Sequence, residues 1–169
     1  MEPEPPRIEP LEPRHDRASF ACGEPALDAY LMRQASQDVR RRVAQVFVLV
    51  GDTPEAIAGY YSLSAASFER GELPEAQAKR LPHYPVPAAI LGRLAVDRRY
   101  QGRRYGETLL LDAARRVLRA SDAVAMHALI VDAKSDAAAR FYARYGFLPF
   151  ATNARRLFLP LDTFAKAGL

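Results

Sequence analysis

Apolar residues recur along the chain with two periods, and the alternation between them predicts a mixed α/β layout. Residues 7–11 read as a weak first strand and residues 22–25 as a turn. Leu27, Tyr30, Leu31 and Ala35 then share one face of a helical repeat. That helix is expected to end near Arg40-Arg41-Arg42, where cations suit the negative end of the helix dipole. Residues 44–50 are aliphatic and β-branched and read as a strand, followed by a turn at Gly51-Asp52-Thr53-Pro54 and a second strand over 56–67. Residues 69–87 carry Pro74, Pro82, Pro85 and Pro87 and read as a connector with one short helix after Pro74. Residues 88–96 form an apolar strand interrupted by Gly92 and Arg93.

Beyond a basic turn over 97–105, residues 106–120 are amphipathic. Leu109, Leu110, Ala113, Val117 and Leu118 are expected inward, and Arg115, Arg116 and Arg119 outward. Residues 124–131 read as a strand. Ser135 can cap a helix running to Tyr145, and Gly146 stands where helices end. Residues 147–150 and 155–161 close the pattern as two strands. Without repeats or a Gly/Ser linker, the expectation is one domain over 1–169, with residues 1–6 (MEPEPP) as an extended lead-in.

Composition narrows the function classes. Apolar residues make up 49% and charged residues 26%, an ordinary globular balance. The net charge is +4, and arginine supplies nearly all the positive side chains, since only Lys79, Lys134 and Lys166 are lysines. A modest basic excess suits phosphate-bearing partners without requiring them. Cys22 is the only cysteine, which excludes an internal disulfide and fits a reducing, cytoplasmic setting. No leader pattern is read at the start, and the longest aliphatic run, 46–50, is too short to span a bilayer. His15, His83 and His127 lie far apart and show no metal-ligand spacing, so no metal is expected.

The informative stretch is 91–106, where a strand leads through a basic, glycine-containing loop into a helix. The first helical turn presents unpaired N–H groups, and with the dipole they favour an anion. Gly102 and Gly106 let a phosphate approach the backbone, while Arg98, Arg99, Arg103 and Arg104 can add charge-assisted contacts. An Arg-rich turn that solubilises the helix would carry the same residues. Neither a P-loop nor a full dinucleotide fingerprint is present.

Leu94-Ala95-Val96, then Gln101-x-x-Arg104-x-Gly106 and Leu109-Leu110, resemble the coenzyme A motif of the GCN5-related N-acetyltransferases (GNATs), whose loop is Gln/Arg-x-x-Gly-x-Gly/Ala. Residues 138–147, Ala-Ala-Arg-Phe-Tyr-Ala-Arg-Tyr-Gly-Phe, resemble the same family's A-x-x-F-Y-x-x-x-G-F segment. The resemblance implies a GNAT fold, with a central, mixed, mostly antiparallel twisted sheet flanked by helices on both faces. It implies acetyl-coenzyme A as co-substrate, bound by Leu94, Ala95, Val96, Gln101, Gly102, Arg103, Arg104, Tyr105, Gly106, Ser135 and Tyr142. It also implies that the N–H of Val96 or of a neighbour polarises the acetyl carbonyl and that Tyr142 protonates the leaving sulfur, with Tyr145 as the fallback acid. One departure stands out: Arg104 occupies the place of the loop's first glycine. It would either crowd the pyrophosphate or contact it directly, and guanidinium geometry favours contact.

Glu107 and Asp132 are the base candidates, and neither is compelling. An α-amine needs no base, since at neutral pH roughly a tenth of it is already unprotonated, far more than of lysine. Residues 20–31, 59–63, 84–87 and 93–97 further resemble the acetyltransferase toxins of bacterial toxin–antitoxin modules. That likeness implies aminoacyl-tRNA as acceptor, a ribbon-helix-helix antitoxin as partner, and room for a homodimer. Arg40, Arg41, Arg42, Arg93 and Arg98 are the expected tRNA contacts. Two other readings remain: acetylation of a small amine or protein N-terminus, and a non-catalytic module that kept the fold. Tyr60-Tyr61 are expected to divide between core and cleft. Cys22 is expected to pack rather than react, and His83 to be exposed and inert.

Overall fold

The computed structural model of the chain describes residues 4–168, so the first half of the expected lead-in, residues 1–3, lies outside the described residues. The order is β1 (Ile8–Pro10), α1 (Pro25–Arg33), α2 (Ala35–Arg40), β2 (Gln45–Val50), β3 (Ile57–Phe68), α3 (Glu75–Ala78), β4 (Val86–Val96), α4 (Tyr105–Ala120), β5 (Ala128–Asp132), α5 (Asp136–Ala143), β6 (Leu148–Pro149), β7 (Arg156–Pro160) and α6 (Leu161–Ala167). Single 3-10 turns stand at Arg70–Glu72 and Arg98–Tyr100. The strands form one seven-stranded sheet in the order β1-β2-β3-β4-β5-β7-β6. β4 and β5 pair in parallel, while β1–β2, β2–β3, β5–β7 and β6–β7 are antiparallel. This is the expected mixed, mostly antiparallel layout. The chain resolves into two compact units, and it passes between them within β3, within β4 and within α4.

The first unit comprises the residues up to Ser64 with Arg93–Ala113. Its core gathers Phe20, Leu27, Tyr30, Leu31, Ala35, Val46, Val48, Ile57, Tyr60 and Ala95. The helical face expected over 27–35 is therefore the buried one. Gly59 is there because of close approach: a Cβ would stand 2.8 Å from both the Ala95 carbonyl and Leu109 Cδ1.

The single helix expected to run to Arg42 is instead two, broken at Gln34 (φ −118°). A side-chain hydrogen bond accompanies the break. The Tyr30 hydroxyl donates to Asp38 Oδ2 at 2.8 Å, eight residues on. On a straight helix that separation is about 12 Å along the axis, and a helical tyrosine leans toward the N-terminus. Only a bend lets the two meet. α2 then ends with Arg42 in the left-handed region (φ 59°), with Val43 N–H on the Asp38 carbonyl and Arg42 N–H on that of Val39. These are the bonds of a helix stop in which glycine is the usual residue.

The second unit comprises Ala65–Gly92 and the residues from Ala114 onward. Phe68, Leu73, Val86, Ala88, Ala128, Ile130, Phe150 and Phe158 form its core. β5 begins at Ala128, not at 124, because Val124 N–H bonds the Ala120 carbonyl and prolongs the end of α4, leaving Val124 exposed. β4 runs unbroken through Gly92 and Arg93. Leu118 and Arg116 are both half-buried, so the polarity of α4 is less clean than its spacing predicts. α6 was not anticipated: Leu161 and Phe164, three apart, bury one face, and Gly168 (φ 70°) caps it.

Candidate active site

In the first unit, β4 delivers Leu94, Ala95 and Val96 to the start of the basic loop. Ala95 is buried, and the two residues flanking it are half-buried. Asp97, 1% exposed, closes the strand. Its carboxylate accepts from Arg99 N–H (2.8 Å), Arg99 Nε (2.9 Å) and Ala21 N–H (3.0 Å). Burial works to raise the Asp97 pKa. The hydrogen bonds from Arg99 and Ala21 and the charge of Arg99 outweigh it and hold the group below its ordinary value. Arg98 N–H bonds the Ala21 carbonyl at 2.9 Å, and Gln101 Nε2 donates to the carbonyls of Val96 (3.0 Å) and Cys22 (3.2 Å). The segment before α1 is thus clipped to the end of β4. The Gln101 side chain is spent on that clip.

The loop turns at Gly102 (φ 85°), where nothing lies within 4 Å of a Cβ position, so the backbone is open to approach. Arg104 is exposed and has φ 61°. The residue in the glycine place of the motif therefore keeps a glycine-like backbone, at a cost of about 1–2 kcal/mol for a side-chain-bearing residue. Its carbonyl accepts from Thr108 N–H at 3.1 Å, which starts the bonding of α4. Tyr105 opens α4 with its ring 6.2 Å from that of buried Tyr100, and Gly106 follows, half-buried. The Arg103 guanidinium stands over the Tyr100 ring at 5.1 Å, Arg99 serves Asp97, and Arg98 lies against Gly23. Of the four loop arginines, none of these contacts claims the Arg104 head group.

Arg40, Arg41 and Arg42 form an exposed run at the end of α2. Arg93 lies with its guanidinium 3.4 Å from the centre of the Tyr30 ring, the same ring that Asp38 anchors. Tyr60 and Tyr61 do not divide between core and cleft. Both are fully buried, with hydroxyls donating to the Leu27 carbonyl (2.7 Å) and to Asp112 Oδ2 (2.5 Å). Burial, with Asp28 beside it, pushes the Cys22 thiol up to about 11, which suits a packing role and not a nucleophile. His83 is exposed, as expected.

In the second unit, Ser135 caps α5 by accepting Ala138 N–H at 3.1 Å. Tyr142 sits in the last turn of that helix, 9% exposed, against Phe141 and Phe147 at 5.2 and 5.6 Å. Burial alone pushes its phenol up to about 12, so it stays protonated at neutral pH. Tyr145 lies beyond the end of α5 with its ring on Phe141. Of the base candidates, Asp132 faces Arg156 Nε at 3.8 Å, and Glu107 is a first-turn acid of α4. Among the described residues no helix is long and apolar enough to cross a membrane.

Residues 42–149 match the acetyltransferase (GNAT) domain family. The chain belongs to that family. It is 36% identical over 144 residues to a tRNA-acetylating toxin of Mycobacterium tuberculosis (strain ATCC 25618 / H37Rv), covering 85% of each chain. Its fold matches that of AtaT complexed with acetyl-methionyl-tRNAfMet, with a TM-score of 0.90 and 34% identity over 98% of this chain and 100% of that one. It also matches a tyrosine-to-phenylalanine mutant of the AtaT toxin bound to the C-terminus of the antitoxin AtaR and acetyl-CoA. There the TM-score is 0.82 and the identity 32%, over 96% of this chain and 98% of the other. The family match takes in both motifs, and this GNAT acetyltransferase is an enzyme of the class the motifs implied.

Proposed function

We propose that this acetyltransferase moves the acetyl group of acetyl-CoA onto the α-amine of an aminoacyl-tRNA, acting as the toxin of a toxin–antitoxin pair. The observation that carries the reading is full-length likeness to AtaT, a toxin held with acetyl-methionyl-tRNAfMet. The whole chain serves as one catalytic domain, in the cytoplasm where charged tRNA is found, with an antitoxin as its protein partner.

The backbone of Leu94, Ala95 and Val96 aligns the thioester arm, and residues 101–106 hold the diphosphate. The open backbone at Gly102 and the glycine-like Arg104 support that assignment. The Val96 N–H takes the charge that grows on the acetyl oxygen. The amine nitrogen bonds to the carbonyl carbon and the carbon–sulfur bond breaks. The phenolic proton of Tyr142 passes to sulfur, and the proton shed by the amine restores the phenol through water. A phenol pushed up to about 12 is fully protonated when the step begins, and a leaving thiolate needs only modest help. Arg40, Arg41, Arg42, Arg93 and Arg98 receive tRNA phosphates, with Ser135 securing the start of the helix that carries Tyr142.

Incubation with radiolabelled acetyl-CoA and a panel of charged tRNAs tests the reading. Label should appear on the aminoacyl group and vanish when the tRNA is deacylated. Label on free amines or protein N-termini, with none on any charged tRNA, would overturn it.

A further inference from the structure

Arg17, in the segment between β1 and α1, is a half-buried cation with no ion pair among the described residues. Its Nε is fully shielded from solvent and makes no hydrogen bond among the described residues. Its Nη2 makes one long bond, to the Glu12 carbonyl at 3.3 Å. The nearby acids are engaged elsewhere: Glu12 binds Arg14 Nε at 2.9 Å and Asp16 accepts Ser19 N–H at 3.2 Å. Burial lowers the Arg17 pKa with no neighbouring charge acting the other way. The contrast is Arg156, whose Nε is equally shielded but has Asp132 at 3.8 Å. A desolvated guanidinium nitrogen is costly to leave unpaired, and such a group asks for an explanation.

The Arg17 Nε is closed to solvent and so to a ligand, but the rest of the half-buried side chain is not. Arg17 lines a pocket of about 360 Å³ with Leu11, Pro13, Ser36, Val39 and Arg40. Two guanidiniums and a hydroxyl therefore share a site whose walls are partly apolar. We propose that this pocket binds a backbone phosphate of the tRNA. The inference rests on the tRNA reading of the proposed function and adds Arg17 and Ser36 to it. A phosphodiester fits better than an isolated carboxylate for two reasons. The pocket is larger than a lone ion requires, so a sugar–phosphate unit can enter. It also adjoins the exposed run Arg40-Arg41-Arg42, which suits a polyanion with several charges in succession.

Deacylated tRNA, followed by fluorescence anisotropy across a salt series, is the probe. Arg17→Gln should weaken binding roughly tenfold at low salt and make the log–log salt slope shallower by about one contact. Ser36→Asp, which places a carboxylate in the pocket on the favourable first turn of α2, should do the same without destabilising the helix. Arg17→Lys should keep the slope of the parent with weaker binding. Affinity for acetyl-CoA should be unchanged in all three. The pocket is excluded if Arg17→Gln and Ser36→Asp both bind tRNA with the parental affinity and slope, or if they weaken only the binding of an antitoxin tail. A parent that neither binds tRNA nor labels charged tRNA overturns the proposed function itself. A parent that does both, with variants that match it, overturns the pocket alone.

Discussion

Asp97 and Tyr142 are both buried titratable groups, one ionised and one protonated at neutral pH, and their surroundings differ completely. Asp97, in the first unit, has its two oxygens occupied by Ala21 N–H, Arg99 N–H and the Arg99 guanidinium. Tyr142, in the second, has aromatic neighbours, and burial alone moves its pKa. A saturated group is committed to holding the chain in place. A buried group whose pKa no partner tunes retains its proton for something else. The difference separates positioning from chemistry, two roles that a bare count of buried polar groups would merge.

The sharpest test of that separation is Tyr142→Phe. It should cut kcat by about a hundred- to ten-thousand-fold, the usual worth of a positioned acid, while leaving the melting temperature unchanged or slightly raised. Among the described residues no hydrogen bond of the fold is spent on the phenol. Because the phenol sits at about 12, the parental rate should also stay flat through about pH 10 on the alkaline side, where an unperturbed tyrosine would already be ionising. A loss of rate that follows a loss of stability would break the comparison, since Tyr142 would then be structural.

Asp97→Ala should behave the opposite way. It leaves the Ala21 and Arg99 donors without their acceptor and should cost about 3 kcal/mol, or roughly 6–12 °C in melting temperature. Asp97→Asn keeps an acceptor and should lose less. The pH dependence has a definite sign. The folded pKa lies below the ordinary value of 3.8, so the stabilisation is complete above that value and is lost as pH falls through the folded pKa. Parent and Asp97→Asn should therefore differ in urea midpoint near neutrality and converge in strong acid. Parallel curves down to the lowest pH would show that the carboxylate charge is not what holds the clip.

Much of this was legible in the chain. The strand–loop–helix around 91–106, the Ser135 cap and the burial of Leu27, Tyr30, Leu31 and Ala35 follow from periodicity and local capping rules. What was not legible depends on distant partners. The bend at Gln34 goes with a bond from the Tyr30 hydroxyl to Asp38, eight residues on. Asp97 could be quoted as part of a motif, but its role needs Ala21, 76 residues away. Tyr60 and Tyr61 do not divide as their alternation predicts, because the Tyr61 hydroxyl reaches Asp112, 51 residues on, and so can be buried. The orphaned Arg17 is legible only once its neighbours are known to be bound elsewhere.

Arg104 tests whether the comparison extends to a group that is exposed and strained. Its φ of 61° implies that glycine would relieve strain there, but glycine also gains freedom in the unfolded chain, and the two effects nearly cancel. Arg104→Gly should therefore shift the melting temperature by no more than about 2 °C. If the guanidinium contacts the diphosphate, losing it should raise the KM for acetyl-CoA about five- to tenfold with kcat little changed. Arg104→Lys should recover part of that loss, because it keeps the charge and forfeits only the planar fork. A lower KM in Arg104→Gly would mean that the side chain crowds the loop. Arg104 would then be a cost that the site carries, and affinity for the donor would have to come from the open backbone around Gly102 alone.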